Sequence, residues 1–419
     1  MSLFHSVFDV RVPLRHSVFD VRVSLFHSVF DIRVPLRHSV FDVLMPLIAA
    51  WFFAVALSNR KMVDSNISTF PSRRAIAVSR LVFLILVVLI HCHFVPYKDE
   101  GYIFGEDVVI FVSELLTALA VPGFFFISGG LFFRNLRGNI GAKLKRRVYS
   151  LLIPYLLWNG FGMLIFVLKR TLLASYIPDM PSATLSFVNL IKGFWAVDLI
   201  GVEIYPYDYA LWFVRNLIVL MIVAVPIYRL LGVNKWLLLA CACAMPFTDQ
   251  FQNYGLVYSF FYFYAGGVFF KYAEKFKFIH MPKPALLKCV AIGGTTLWLI
   301  WCMAWQYGLV NGRAVFVPIL LGIDGIMSDM QLLTTRYSSS MGPSNIYLRS
   351  LFFVYAIHGY LCINLCRIVK RWFYPETTIG CLATYFAVFA IAWYGSMALF
   401  MVCDKLFPRL TRLLTGGRD

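Results

Sequence analysis

Two basic side chains in the first apolar stretch have the types and spacing to do chemistry. The segment SRLVFLILVVLIHCHF places Arg80 and His91 with ten residues between them. Eleven helical steps of ~100° bring both onto one face, ~16 Å apart along the axis. A guanidinium binds phosphate, and an imidazole accepts a hydroxyl proton near neutral pH. This spacing suits acyl transfer from acyl-CoA, because the arginine can hold the phosphates of CoA while the histidine acts on the acceptor hydroxyl. Alternatively, Arg80 marks the membrane boundary and His91 is a polar helix contact.

The composition predicts the elements that position these residues. With 60% hydrophobic and 14% charged residues among 419, the chain has more apolar surface than one soluble core of this size buries. A membrane span needs about 20 mostly apolar residues. We therefore predict an all-α, polytopic integral membrane protein with about ten transmembrane helices. The apolar segments are 76–96, 108–133, 148–168, 209–231, 233–248, 255–272, 284–306, 314–333, 348–370 and 379–403.

The charge pattern predicts the orientation. The formal net charge of +17 comes from short basic blocks between apolar runs, which indicates the positive-inside rule and argues against a nucleic-acid partner. Basic blocks before the first segment and after the second predict that both termini lie in the cytoplasm. The predicted location of the protein is the cell (inner) membrane. Three basic residues fall on the opposite side in this topology: Arg367, Lys370 and Arg371.

Other polar groups inside the predicted spans are candidate functional residues, since an unpaired charge there is costly. Arg215 needs a partner such as Glu114, Asp324 or Asp329, and a structural ion pair is its expected role. If Arg349 marks the cytoplasmic edge of the membrane, His358 lies ~14 Å inside it, a depth comparable to that of His91. It then either lines one cavity with His91 or serves in packing.

Small and sulfur-containing residues have structural interpretations. Ser128, between glycines, favours close helix approach over a nucleophilic role. All nine cysteines lie in apolar runs and are expected in the core, and no ligand cluster has metal spacing. His93, two residues after His91, points ~200° away from it on a helix. The loop 169–208 contains SFVNLIKGFWAVDLI, which predicts an interfacial or cavity-capping helix.

Several motifs occur in an order that resembles the acyltransferase-3 family of membrane O-acyltransferases. The Arg80, ten residues, His91 spacing comes first. Similar segments follow: GFFFISGGLFF, AKLKRRVYSLLIPYLLW, YALWFVRNLIVL, SFFYFYAGGVFF and SLFFVYAIHGYL, the last with His358. The resemblance covers residues 73–403, nearly everything outside an N-terminal repeat.

The resemblance implies that His91 is the catalytic histidine and Arg80 its companion. It implies a CoA-binding loop of Lys143, Lys145, Arg146 and Arg147, although the same residues also suit plain topology signalling. The candidate cavity residues are Glu114, Ser128, Trp212, Arg215 and His358. Many family members have a second arginine where this chain has Ser150.

The implied reaction is O-acetylation from acetyl-CoA without a metal. The implied acceptor is a hydroxyl of a cell-surface carbohydrate, such as a polysaccharide, or of a glycolipid or lipid-linked glycan. The rival interpretation is a transporter or flippase in which the same polar residues line a pathway. A silent membrane scaffold is the third.

The domain organisation follows from these patterns. Residues 1–45 are an eleven-residue tandem repeat, expected to be unstructured or a misassigned start; 46–72 form a linker, 73–403 the transmembrane domain and 404–419 a basic cytoplasmic tail. We expect translation of the natural protein to begin at Met45 or Met62. N-terminal mass analysis tests this, and a mature chain that retains the repeat contradicts it.

Overall fold

The computed structural model describes residues 72–96, 102–134, 140–172, 187–195, 206–244, 255–272, 283–306, 316–336 and 345–417. The N-terminal repeat and most of the linker lie outside the described residues. Within them every regular element is helical. The helices are α1 Arg73–His91, α2 Phe104–Ile110, α3 Ala120–Arg134, α4 Ile140–Leu172, α5 Phe187–Trp195, α6 Trp212–Leu231, α7 Lys235–Ala244, α8 Leu256–Tyr272, α9 Lys283–Gln306, α10 Phe316–Arg336, α11 Asn345–Trp372, α12 Thr378–Leu406 and α13 Pro408–Leu414.

Helices occupy all ten predicted apolar segments, and seven stretches are long and apolar enough to cross a membrane. These are Arg73–His91, Phe104–Arg134, Leu144–Leu168, Tyr209–Leu230, Val317–Thr334, Ile346–Trp372 and Thr378–Leu406. The helices α7 and α8 have 10 and 17 residues, and the apolar part of α9 is Val290–Trp305. Many large apolar side chains on the outer surface are exposed, including Leu164 and Phe386. An outer surface of this kind suits lipid.

Helix α1 is central, and packs against α3, α10, α11 and α12. It begins at Ser72, whose hydroxyl accepts the Ala75 N–H at 3.0 Å. It ends at His91, five residues before the predicted boundary, with Cys92 as the C-cap. The buried face includes Phe83, Leu84 and Val88. Burial on several sides fixes the rotation of α1, and hence the direction in which its polar residues point.

The second span is irregularly wound between α2 and α3. A π-helical turn, Phe111–Leu115, and a 3₁₀ turn, Leu116–Leu119, interrupt the α-helical hydrogen bonding there. Side chains of α9 supply donors to this turn: Trp298 Nε1 donates to the Leu116 carbonyl at 3.3 Å, and Cys302 Sγ lies 3.8 Å from the Leu115 carbonyl. The irregular backbone is thus satisfied by the protein itself, as an apolar environment requires.

Glycines bring α3 and α8 into direct backbone contact. A Cβ added at Gly129 would lie 1.7 Å from the Phe263 carbonyl oxygen, and one at Gly266 would lie 1.9 Å from the Phe126 carbonyl oxygen. This confirms the interpretation of the glycines beside Ser128 as a helix contact. Around it, Phe126, Phe132, Phe133 and Phe270 are buried in the main apolar core.

Replacing Gly129 by Ala should destabilise the protein by about 1–3 kcal/mol or more, because the added methyl overpacks a backbone contact. Gly160→Ala is the matched control, since an added Cβ there meets nothing within 4 Å. Both changes gain the same helix propensity, so their difference isolates the clash. Thermal unfolding of the two purified variants in detergent measures it. Equal Tm values would show that α3 and α8 do not pack this closely.

Candidate active site

The structure brings two histidines from distant parts of the sequence together. The ring centroids of His91 at the end of α1 and His358 in α11 are 5.1 Å apart. The ring of Tyr209 lies 5.2 Å from that of His91, nearly perpendicular to it. No hydrogen bond joins a ring nitrogen of His91 to another described residue, while its backbone carbonyl lies 3.6 Å from Cys366 Sγ. Of the two alternatives for His358, a shared cavity or packing, the geometry favours the shared cavity.

The two histidines line one small cavity. Its volume is about 20 Å³, room for roughly one water molecule. Most of the remaining wall is apolar, and the lining residues are Val87, Val121, Phe124, Ala210, Trp212, Phe213 and Tyr355. Apolar walls with two convergent imidazoles are typical of a site that excludes bulk water around a reacting group.

The backbone of α11 orients His358. Its Nδ1 lies 2.6 Å from the Tyr355 carbonyl oxygen, so Nδ1 carries the proton and donates it. Its Nε2 is buried and has no hydrogen-bond partner among the described residues. That nitrogen therefore presents a lone pair, which is the form in which histidine accepts a proton or a hydrogen bond.

A short turn before α6 forms one wall of the cavity. Asp208 caps the 3₁₀ turn Tyr209–Leu211 by accepting the Ala210 N–H at 3.2 Å. The turn is tied to α4, because the Asp208 N–H donates to Asn159 Oδ1 at 3.2 Å. It is tied to α11, because the Tyr355 hydroxyl donates to the Ala210 carbonyl. These bonds hold Tyr209 and Ala210 against the two histidines.

Burial shifts the pKa of the Asp208 carboxyl in this turn. Asp208 is 1% exposed, and burial raises the pKa of its carboxyl well above the ordinary value. The neighbouring titratable groups are the hydroxyls of Tyr155 on α4 and of Tyr355 and Tyr360 on α11, on which the Asp208 charge acts. Its Oδ2 has no hydrogen-bond partner among the described residues.

A second arginine acts on Arg80, which lies about two turns after the start of α1. Arg80 is partly buried, and its charge and that of Arg147 on α4 act on each other. Neither guanidinium has an acidic partner among the described residues. Lys145 and Arg146 are exposed on the same turn of α4, while the side chain of Lys143 lies outside the described residues. The binding of CoA phosphates by this group stays a prediction.

Three predicted cavity residues do not line the histidine cavity. Arg215 Nη1 donates to the Trp195 carbonyl at 3.0 Å and Nε to Asn216 Oδ1 at 3.2 Å. Glu114 lies 3.4 Å from His93 Nδ1. Ser128 lies on α3 beside the glycine contact with α8. None of the three is among the residues that line the cavity.

Arg215 helps to hold the predicted cap of loop 169–208, which is helical as α5. The carbonyls near the end of α5 accept hydrogen bonds from Arg215, from the Tyr155 hydroxyl at Phe194, and from the Tyr207 hydroxyl at Leu190 at 3.1 Å. A cation at a helix C-terminus is favourable. Arg215 thus contacts the C-terminal end of α5, and the structural ion pair expected for it stays a prediction.

Sequence reasoning missed Tyr209, Tyr355 and Asp208. The signal available for Tyr355 was its place three residues before His358, which puts its carbonyl beside the imidazole in a helix. Tyr209 begins the YALWFVRNL motif and Asp208 precedes it, but only the fold shows that Tyr209 lies beside His91 of α1 and Asp208 beside Asn159 of α4. His93, in contrast, is held elsewhere, since its Nδ1 lies 3.0 Å from Ser113 Oγ and its Nε2 lies 2.8 Å from the Val95 carbonyl.

The part of the chain that the structure describes contains no set of side chains that could bind a metal ion. No group of three or more His, Cys, Asp or Glu side chains converges there. The eight cysteines described are free thiols, and five of them are buried: Cys92, Cys302, Cys362, Cys366 and Cys381. The Cys92 and Cys362 sulfurs are 3.9 Å apart and pack in the core behind the histidines.

The helices define a multi-pass membrane protein, and the histidine pair lines an internal cavity in it. The family model described as the acyltransferase domain, of the acyltransferase-3 family, matches residues 73–401. The chain belongs to that family and is a membrane O-acyltransferase. Comparisons with curated proteins and with solved structures found no significant match.

The pH dependence of stability should report the buried Asp208 carboxyl. Its raised pKa means that the unfolded state ionises first as pH rises, so the wild-type protein loses stability from about pH 4 upward. Asp208→Asn removes this dependence, and the wild-type Tm should therefore fall relative to that of the variant between about pH 4 and pH 8.

The control for that measurement is Glu376→Gln, because Glu376 is exposed. Its Tm difference from wild type should be flat over the same range. Parallel pH curves for Asp208→Asn and wild type would contradict the burial of an unpaired carboxyl.

Proposed function

We propose that this enzyme transfers the acetyl group of cytoplasmic acetyl-CoA to a hydroxyl of a cell-surface carbohydrate or lipid-linked glycan, in the cell (inner) membrane. The observation that carries the proposal is the His91–His358 pair, 5.1 Å apart at the end of the helix that holds Arg80. The acceptor class rests on the family resemblance, and the orientation rests on the basic blocks.

The donor binds first at the arginines. Arg80 and Arg147 lack an acidic partner among the described residues, and CoA phosphates supply the missing negative charge. The exposed Lys145 and Arg146 add to the positive field at the same end of α4. From there the thioester arm reaches along the α1 stripe to His91. A small acyl group is favoured, because Val121 and Phe124 narrow a cavity of about 20 Å³.

The histidine pair performs the transfer. The acceptor hydroxyl oxygen attacks the thioester carbonyl carbon, and His91 accepts the hydroxyl proton. The new C–O bond forms as the C–S bond breaks. His91 then gives its proton to the departing CoA thiolate, so an ester and CoA thiol result and the imidazole is regenerated.

His358 acts through His91 in this mechanism and is a positioning residue. Its fixed tautomer leaves Nε2 as an acceptor for one N–H of His91. In the proposed mechanism this bond forms when substrate is bound, and it turns the other nitrogen of His91 toward the acceptor hydroxyl, in the way that a third group orients the base of a nucleophile–base pair.

His91→Ala should lower the release of CoA from acetyl-CoA by about 10²- to 10⁴-fold, because it removes the base. His358→Ala should lower it less, and His358→Gln should recover part of that loss, because the amide oxygen also accepts an N–H. The double alanine variant should be no slower than His91→Ala, since the two residues act as one unit. Thiol release by purified full-length protein, with mass spectrometry of the acylated product, measures each rate.

His93→Gln is the matched control, because His93 lies near His91 in sequence but bonds to Ser113 and Val95. It should keep the wild-type rate. Full CoA release by folded His91→Ala would overturn the proposed base. Substrate flux across vesicles that persists in His91→Ala without CoA release would favour the transporter interpretation. Comparing glycan acetylation in cells with and without the gene identifies the acceptor and the acyl group together.

A further inference from the structure

Two buried polar atoms beside the histidine pair are left without partners by the protein. Asp208 Oδ2 and the Tyr360 hydroxyl both lack a hydrogen bond among the described residues. Asp208 is 1% exposed, and its other oxygen is used in capping the turn before α6. Leaving such groups unsatisfied costs free energy, so each one requires an explanation.

The two atoms approach the same face of α4. Asp208 is bonded through its N–H to Asn159, and the Tyr360 hydroxyl would lie 2.8 Å from a Cβ placed at Gly162. Asn159 and Gly162 are three residues apart on α4, and residues at that spacing are neighbours on a helix surface. The charge of Asp208 also acts on the Tyr360 hydroxyl. The carboxyl and the phenol are therefore neighbours.

Asp208 lies beside one wall of the histidine cavity. Its carboxyl accepts the N–H of Ala210, which lines that cavity, and it precedes Tyr209, whose ring lies 5.2 Å from that of His91. The Tyr209 ring also packs on the backbone of α11, because a Cβ at Gly359 would lie 2.7 Å from it. A ligand group bonded to Asp208 and Tyr360 would thus lie next to the turn that forms this wall.

The chemistry of the pair selects its ligand. A hydroxyl both donates and accepts, so it can bond the Asp208 carboxyl in either protonation state while accepting from the Tyr360 phenol. An ammonium group cannot accept the phenol hydrogen. A phosphate is repelled by the carboxylate. An uncharged hydroxyl therefore satisfies both atoms, that of water in the free protein and that of an alcohol in the complex.

We infer that Asp208 and Tyr360 form an acceptor subsite that binds a neighbouring hydroxyl of a neutral, polyhydroxylated acceptor and so presents another hydroxyl to the histidine pair. This rests on the proposed function and deepens it, since a sugar with several hydroxyls can occupy both positions and a simple alcohol cannot. The subsite is separate from the arginines that bind the donor.

The test separates the acceptor from the donor. Purified full-length protein is given labelled acetyl-CoA without an acceptor, and the slow release of CoA to water is measured. Cells lacking the gene are then complemented with each variant, and the O-acetyl content of their carbohydrate is measured. Asp208→Asn and Tyr360→Phe should each lower the O-acetyl content at least about tenfold more than they lower acceptor-free CoA release.

The controls are Tyr394→Phe and Glu376→Gln, whose side chains are exposed, Tyr394 at 64%. Both should behave as wild type. Normal O-acetylation in both site variants would overturn the subsite. Loss of acceptor-free CoA release in folded Asp208→Asn and Tyr360→Phe would overturn it too, because the pair would then serve the donor. A wild-type protein that neither releases CoA nor restores O-acetyl groups to the carbohydrate of complemented cells would instead refute the proposed function.

Discussion

Polar groups inside an apolar helix bundle must find partners within the protein, and the structure depends on this constraint. The irregular turn of the second span shows how it is met, because Trp298 of α9 donates to the freed Leu116 carbonyl. Three of the exceptions in the described chain gather around one place: His358 Nε2, Asp208 Oδ2 and the Tyr360 hydroxyl. That clustering is expected where substrates complete the hydrogen bonding.

The same constraint explains how one helix serves both halves of the reaction. Helix α1 is buried between α3, α10, α11 and α12, which fixes its rotation. Arg80 and His91 share a stripe of that helix, with the arginine near Arg147 and the histidine near His358. In the proposed mechanism this packing aligns the arginines that bind phosphate with the histidine that accepts a proton.

The contact between α3 and α8 is tightly packed, whereas the turn before α6 is held by few hydrogen bonds. The backbone contact of α3 and α8 at Gly129 leaves no room for displacement. The turn that carries Asp208 and Tyr209 is held by single hydrogen bonds, one to Asn159 on α4 and one from Tyr355 on α11. The proposed substrates are larger than a cavity of about 20 Å³, so the cavity has to open to admit them. We expect the opening in this turn, because few hydrogen bonds hold it.

The sequence by itself determined the helical class, the ten apolar segments and the shared face of Arg80 and His91. These are local properties, since helix period and span length depend on neighbouring residues. The motifs in the sequence also indicated the acyltransferase-3 family. Only the tertiary structure decided that His358 meets His91, that Arg215 bonds to α5 carbonyls, and that Asp208 faces α4. Contacts between helices depend on how each is rotated and packed, and one sequence without its fold does not specify that.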